Sequence, residues 1–397
     1  MTLSLYVHIP FCAARCPYCD FATAPATSHL RARYIDALVA EIRREGASGG
    51  RPMARTLYFG GGTPSLLDPE EIARLASALR DSFDLALDEA TFEANPATLD
   101  RARLDSWRAL GVTRVSLGAQ SLSEEGLRAL GRTHQAEDTA AAVDAIRSLG
   151  MGVSLDLIFG WAGQTADAWR TDLARAIALS PDHISCYPLE LALEPEEAIA
   201  NWPGGWGSVL RWRQAAALDQ ADDDGMARLY RTAERALAAA GYRHYEIANW
   251  ARPGKRCEHN LVYWRNGAWL GLGMGAHSHL GGARSRRPGA LLAYLDAIDA
   301  GRPRLPDPEA DEASDTAMLA LRLDEGLDLA VYGRRFGAAA MNRVHTLLTQ
   351  GTPPGLLRLD GGIARLTPRG RLLASEVFVR LLDVGAPSGE GTALAAI

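Results

Sequence analysis

Six short apolar runs, each followed by a stretch of helical character, set the strongest limit on how this chain can fold. They read as strands over residues 3–9, 55–59, 90–94, 114–119, 153–158 and 183–189. Helices fall between them, the first over residues 28–44. The second opens on Asp68 as a cap, with Pro69 at its first position and Glu71 three residues on, before an apolar face of Ile72, Leu75 and Leu79. Gly111 and Gly150 each follow the last apolar residue of a helix, where a left-handed C-cap is wanted. Strands alternating with helices build a parallel sheet. A closed eight-stranded barrel needs two more strands in register. Residues 194–225 instead are rich in Trp, Pro, Gly and Asp and read as an insert, before an edge strand at 242–249. The expected fold is therefore α/β, an open six-stranded partial barrel over residues 1–235 with an extension over 236–300.

From about Pro306 the character changes. Leu356, Leu357 and Leu359 face Ile363, Ala364 and Leu366 across Asp360-Gly361-Gly362, a hairpin signal, and a last helix is expected over 370–382. Helices plus one hairpin predict a small winged-helix-like α+β domain over 306–383. Residues 384–397 read as a disordered tail of small residues. The basic, glycine-rich stretch 281–288 reads as a flexible loop.

Chemistry concentrates just after the first strand, in YVHIPFCAARCPYCDF. Three of the chain's five cysteines, Cys12, Cys16 and Cys19, stand here in C-x3-C-x2-C spacing. A disulfide would use two and strand the third. Zinc would take four closed ligands, and no fourth Cys or His follows at zinc-finger distance. Three thiolates can hold three irons of a 4Fe–4S cluster and leave the fourth open. An open iron suits S-adenosylmethionine (SAM), whose amino and carboxylate groups can chelate it.

This stretch resembles the radical SAM superfamily, and within it the anaerobic coproporphyrinogen III oxidase branch, HemN-like proteins that include HemW-type haem chaperones. The resemblance runs over nearly the whole chain and implies the same open six-stranded barrel. HemN-type oxidases carry a further cysteine two residues after the third. Here that position is Phe21, as in the HemW type. In a β/α barrel functional groups sit at strand C-termini. Gly61, Gly62 and Thr63, in GGGTP, end the second strand, where glycines let backbone approach a ligand closely. Glu93 ends the third, Gln120 the fourth, Arg132 follows on the next helix, and Asp156 lies within the fifth. A charged Asp in an apolar strand needs a partner or a solvated lumen. Two readings are open for these residues: an internal ion pair of Arg132 with one of the acids, or a site for SAM's ammonium, sulfonium and carboxylate. The resemblance implies that Tyr6, Gly61, Gly62, Thr63, Glu93, Gln120, Arg132 and Asp156 bind SAM.

A second constellation is CEHNLVYW, residues 257–264. It contains the HNxxYW signature of HemW-type haem chaperones. His259 offers an imidazole to a haem iron, Cys257 a thiolate, and Tyr263 with Trp264 apolar faces for a macrocycle; Arg256 or Arg265 could meet the propionates. His277 and His279 are weaker candidates. A lone His beside aromatics is more often a hydrogen-bonded structural residue, and the six-residue match weighs against that here. Cys186 and Cys257 are not expected to hold the cluster.

Net charge is −6, and the arginines Arg358, Arg365, Arg369 and Arg371 of the C-terminal hairpin are interspersed with acids, so a nucleic-acid binder is not expected. No apolar run reaches a membrane span, and His8 and Pro10 interrupt the N-terminal one, so neither a transmembrane segment nor a signal peptide is expected and the predicted location is the cytoplasm. Three functions compete. A haem chaperone would carry 4Fe–4S, SAM and haem, with haem-accepting proteins as partners, some of them at the membrane surface, and room for a homodimer. A coproporphyrinogen III oxidase would decarboxylate by radical chemistry. A winged-helix regulator would use the cluster as a sensor. Only five residues precede Tyr6, where the oxidases carry a long extension; with Phe21 and HNLVYW this points to the chaperone.

Overall fold

The computed structural model describes residues 2–191, 205–308, 310–382 and 384. The tail beyond Val384 and the first part of the expected insert, residues 194–204, lie outside the described residues. The described residues form two compact units, one of those up to 262 with 268–307, the other of 263–267 with those from 308 to 384.

In the first unit β1 (Leu3–Ile9), β2 (Met53–Gly61), β3 (Asp84–Ala94), β4 (Arg114–Gln120), β5 (Gly152–Phe159) and β6 (His183–Pro188) lie side by side in chain order, every neighbour parallel. Helices α1 (Ser28–Ser48), α2 (Pro69–Ser82), α3 (Arg101–Leu110), α4 (Ala136–Ser148) and α5 (Ala166–Ala178) connect them. The caps form as their residues dictate: the Asp68 backbone N–H donates to Glu71 Oε2 at 2.9 Å, and Gly111 takes a φ of 103°.

The strands are apolar on one face only. On β3, Phe92 stacks on Trp107 of α3 with ring centroids 4.3 Å apart, so the even-numbered side chains face the helices. Glu89, Thr91 and Glu93 then face the concave side, by the two-residue period of a strand. The same two-residue alternation on the neighbouring strands puts Tyr58, Ser116, Asp156 and Ser185 in the lumen and Phe59, Val115, Leu155 and Cys186, all fully buried, against the helices. The lumen is thus lined by polar side chains around a cavity rather than filled by an apolar core.

Beyond this barrel come α6 (Gly205–Leu218), α7 (Asp223–Ala239) and two short antiparallel edge strands, β7 (Arg243–Glu246) and β8 (Asn249–Ala251), in place of the single strand expected at 242–249. Ile247 and Ala248 turn the chain between them. Helix α8 (Glu258–Trp264) follows, then β9 (Trp269–Leu272), a seventh parallel strand beside β1. Sequence patterning did not indicate it; four apolar and glycine residues carry no period. Strands β10 (His277–Leu280), β11 (Ala283–Arg286) and β12 (Leu305–Pro306) continue that edge antiparallel, with α9 (Leu291–Asp299) between the last two. The expected flexible loop at 281–288 is thus largely β11. Arg287, 1% exposed, fixes its end by pairing with Glu41 at 2.7 Å and Glu45 at 2.9 Å on α1.

The second unit is a small α+β fold. Helices α10 (Glu312–Arg322), α11 (Leu329–Phe336) and α12 (Ala338–Thr346) accompany a three-stranded antiparallel sheet of β13 (Leu327–Asp328), β15 (Ile363–Leu366) and β14 (Leu357–Asp360), in that order. Gly361 and Gly362 take φ of 58° and 81°, as a tight hairpin turn with two left-handed residues requires. The single helix expected over 370–382 is instead broken: Pro368–Leu372 and Ala374–Phe378 are separated at Leu373, whose φ of −120° is not helical. Among the described residues no helix is long and apolar enough to cross a membrane.

Candidate cluster and cofactor site

The loop after β1 is held by its own backbone and by two arginines. The Arg15 guanidinium donates to Thr23 Oγ1 at 2.7 Å and to the Cys19 carbonyl at 2.5 Å. Arg213 of α6, fully buried, donates to the Pro17 carbonyl at 3.0 Å and pairs with Asp20. Nothing in the sequence pointed to Arg213, because it lies some two hundred positions from the loop it clamps. His8 reaches the loop's far end. Its Nε2 bonds the Ala22 carbonyl at 2.8 Å, and a carbonyl only accepts, so Nε2 carries the proton and Nδ1 accepts from the Tyr6 hydroxyl at 3.0 Å. Burial lowers the His8 pKa to about 4, so this imidazole is neutral.

The three thiols of Cys12, Cys16 and Cys19 line one cavity of about 500 Å³ at the strand C-termini. Burial pushes Cys12 up to about 11 and Cys19 up to about 12, with the charge of Cys16 raising both further. Such sulfurs ionise only when a metal replaces the proton. Two donors already face them: Thr63 Oγ1 lies 3.5 Å from Cys12 Sγ, and Arg132 Nη1 lies 3.3 Å from Cys16 Sγ. Among the described residues no three His, Cys, Asp or Glu side chains converge on a single metal ion. A cluster needs no such convergence, since each of its irons takes one thiolate. The glycines also fit: a Cβ on Gly62 would stand 2.9 Å from Cys12 Sγ and 2.5 Å from the Pro10 carbonyl oxygen, and one on Gly61 2.6 Å from the His8 ring. The donor set and its cradle suit an iron–sulfur cluster. Cys186 points to the helix side, and Cys257 gives its Sγ to Glu89 at 3.3 Å.

Glu93 and Asp156 line the same cavity. Glu93 accepts from the Tyr58 hydroxyl at 2.8 Å and the Gly61 N–H at 3.0 Å; Asp156 accepts from Ser116 Oγ at 3.0 Å and Ser185 Oγ at 2.7 Å. Neither forms an ion pair with a described residue. The internal pair with Arg132 therefore does not exist: Arg132 turns to Cys16 Sγ and to the Gly118 carbonyl at 3.0 Å, from the turn after the short helix Glu124–Ala129. Desolvation pushes Glu93 up to about 7, with Asp156 adding to it, and raises Asp156 as well. Two buried cavity carboxylates with no ion-pair partner among the described residues have the chemistry to suit a positively charged ligand. Gln120 also lines the cavity, and its φ of 63° is a left-handed conformation that a glutamine holds only under constraint. Tyr6 is set back, its ring stacked on Tyr58 at 6.2 Å, and it does not line the cavity.

The HNLVYW residues are arranged differently from expectation. His259 is fully buried, its Nδ1 bonds Thr56 Oγ1 at 2.7 Å, and burial lowers its pKa to about 3. It does not line the cavity, whereas Cys257 and Asn260 do. Glu89 organises this helix start: its carboxylate takes the N–H groups of Glu258 at 3.0 Å and His259 at 3.1 Å, and pairs with Arg114 at 3.0 Å. In the second unit the Trp264 ring carries the Arg322 guanidinium at 4.3 Å, and Arg265 pairs with Glu325 at 2.6 Å. Arg256 lies 3.9 Å from the Glu258 carboxylate. His277 is exposed on β10, and His279 is buried with its ring 5.1 Å from that of Trp269.

An open parallel β/α barrel with three clustered cysteines at its mouth defines a radical SAM fold, and residues 6–176 match the radical SAM superfamily while 307–373 match the HemN C-terminal domain. The coproporphyrinogen III oxidase HemN from Escherichia coli superposes with a TM-score of 0.79 at 24% identity, over 96% of this chain and 89% of that one. The "Heme chaperone HemW" of Mycobacterium tuberculosis is 39% identical over 95% of this chain and 94% of its own length. Those of Bacillus subtilis, at 31% over 94% and 98%, and Escherichia coli, at 37% over 69% of each, are also similar. The chain belongs to the HemW family of the radical SAM superfamily.

Proposed function

We propose that this chain is a haem chaperone of the cytoplasm, which holds a SAM-bound 4Fe–4S cluster and delivers haem to haem-requiring proteins. The observation that carries the cofactor reading is the pair Glu93 and Asp156, unpaired carboxylates in the cavity that also holds Cys12, Cys16 and Cys19. Cluster and SAM together supply redox chemistry when bound. In this reading the three cysteines ligate the cluster. Glu93 and Asp156 take the ammonium and sulfonium of SAM, Gly61, Gly62, Thr63, Gln120 and Arg132 shape its bed, and Tyr6 supports Tyr58 from behind. The haem reading rests on the family and on HNLVYW, with Tyr263 and Trp264 as apolar wall. His259 becomes an axial donor only if α8 moves it out of its bond with Thr56; Cys257 is the alternative, already at the cavity wall.

Anaerobic reconstitution of the full chain tests this. It should yield a cubane absorption spectrum, bind SAM, and bind haem with a shifted Soret band. His259→Ala and Cys257→Ser, followed separately through that band, identify the ligand. A chain that takes up cluster and SAM yet leaves haem unbound would refute the chaperone reading and leave the cofactor reading intact.

A further inference from the structure

The cavity does not end at Glu93 and Asp156. On β3 three alternate residues, Glu89, Thr91 and Glu93, face the lumen, each about 6.6 Å deeper than the next, from the rise of a strand. The outer one belongs to the cofactor end. The inner one is fully engaged with α8 and Arg114. Thr91 stands between them, 1% exposed, and its Oγ1 has no hydrogen-bond partner. It lines the cavity together with Asn260, the residue of α8 that turns inward where His259 turns away. The Asn260 carboxamide makes no hydrogen bond to a described residue either, although its backbone N–H supports Cys257.

Charge at this end is already balanced. Arg114 is matched by Glu89. His183 bonds Ser154 Oγ at 2.9 Å and the Tyr245 hydroxyl at 2.8 Å, and burial holds its pKa well below the ordinary histidine value, so it is neutral. What remains is one buried hydroxyl without a partner, that of Thr91, and beside it one half-buried carboxamide open to the cavity, that of Asn260, each both donor and acceptor. Native structures leave few such groups unmet, because a buried unpaired hydroxyl forfeits its hydration.

We propose that the lumen between Glu93 and α8 is a second binding subsite, for an uncharged hydrogen-bonding group of carboxamide or hydroxyl type, held by Thr91 and Asn260. It lies one side-chain layer below the cationic site and selects on different chemistry: the acids outside attract positive charge, and the neutral floor rewards a matched donor and acceptor. A molecule bound here would face the cofactor end of the same cavity, which gives the barrel a place for a small polar substrate that haem carriage does not require.

The test uses the reconstituted full chain with SAM present and three probes of one size and different charge: acetamide, acetate and methylammonium. Saturation-transfer NMR should show acetamide bound to the wild type, with the signal falling about fivefold or more in Thr91→Val/Asn260→Leu, the loss expected for removed hydrogen bonds. Acetate and methylammonium should show no difference between wild type and variant. Thr91→Ser, which keeps the hydroxyl, should bind acetamide like wild type and controls for folding. SAM affinity should stay within about twofold in the double variant, since no charge-assisted contact is lost. An acetamide signal absent from wild type, or unchanged in the double variant, would show that the floor holds only water and overturn the proposal. A SAM affinity about tenfold weaker would overturn it differently, by assigning the floor to the cofactor.

Discussion

Replacing Glu93 by glutamine should weaken SAM binding and stabilise the cofactor-free protein at once. The carboxylate accepts from Tyr58 and Gly61, has no cationic partner among the described residues, and titrates at about 7 against 4.5 for a free glutamate. Its folded pKa is raised, so folding favours the protonated form. The resulting penalty is absent below pH 4.5, grows as pH rises to about 7, and then levels off. A shift of this size corresponds to at most about 3 kcal/mol, less where cavity water screens the charge. Glutamine removes that penalty, so the cofactor-free variant should melt a few degrees higher at pH 8 and unchanged near pH 4.5. Its loss of a charge-assisted contact should cost ~1.5–3 kcal/mol of SAM affinity, about tenfold or more. The affinity should also lose its pH dependence. Wild type must shed the Glu93 proton to bind a cation, so its affinity should fall with pH below 7 and be flat above it, whereas the variant should be flat throughout. Calorimetric titration of both proteins from pH 6 to 8, with thermal melts alongside, checks this. Equal SAM affinities, or a wild-type profile without slope, would refute the cation-receptor reasoning.

Serine at Cys12, Cys16 or Cys19 should abolish iron and sulfide incorporation, while serine at Cys186 or Cys257 should leave it intact, as chemical iron and sulfide assays would show. Gly62→Ala should fold yet fail to hold the cluster, because its Cβ would press on Cys12 Sγ and the Pro10 carbonyl; absorbance of the reconstituted variant reads this directly. Glu89→Ala should destabilise by about 3–5 kcal/mol in denaturant melts, because it leaves Arg114 buried without its partner and α8 without its cap. Glu89→Gln should cost less.

The barrel was legible because its signal is local and repeated: each strand is an apolar run, and each helix carries its own cap. The cluster loop was legible for the same reason, three cysteines within eight residues. The features that were not legible depend on the third dimension. Arg213 and Arg15 hold the loop through its carbonyls, and a bond to a backbone carbonyl leaves no mark on the partner's identity. Strand β9 pairs with β1 from far along the chain, and its sequence WLGL has no period. His259 departs from expectation for a particular reason. The motif's residue types suit a haem, but which of them faces the cavity depends on the helical rotation of α8, which Glu89 sets from another strand. One further signal does stand in the sequence. Thr91 and Glu93, Ser116 and Gly118, Ser154 and Asp156, His183 and Ser185 alternate with apolar neighbours on strands that a plain parallel sheet would make apolar throughout. That alternation is the mark of a polar lumen, and it is carried by residue types and their period alone.

The most direct test of the account is a transfer experiment. The reconstituted chain, loaded with one haem and SAM, is mixed anaerobically with a haem-free acceptor protein, and the acceptor's haem spectrum is followed while a parallel sample receives coproporphyrinogen III and a reductant. The account predicts that haem appears on the acceptor faster than from free haem at the same concentration and that the porphyrinogen keeps its propionates. Haem retained by the chain, together with carbon dioxide released from coproporphyrinogen III, would contradict it.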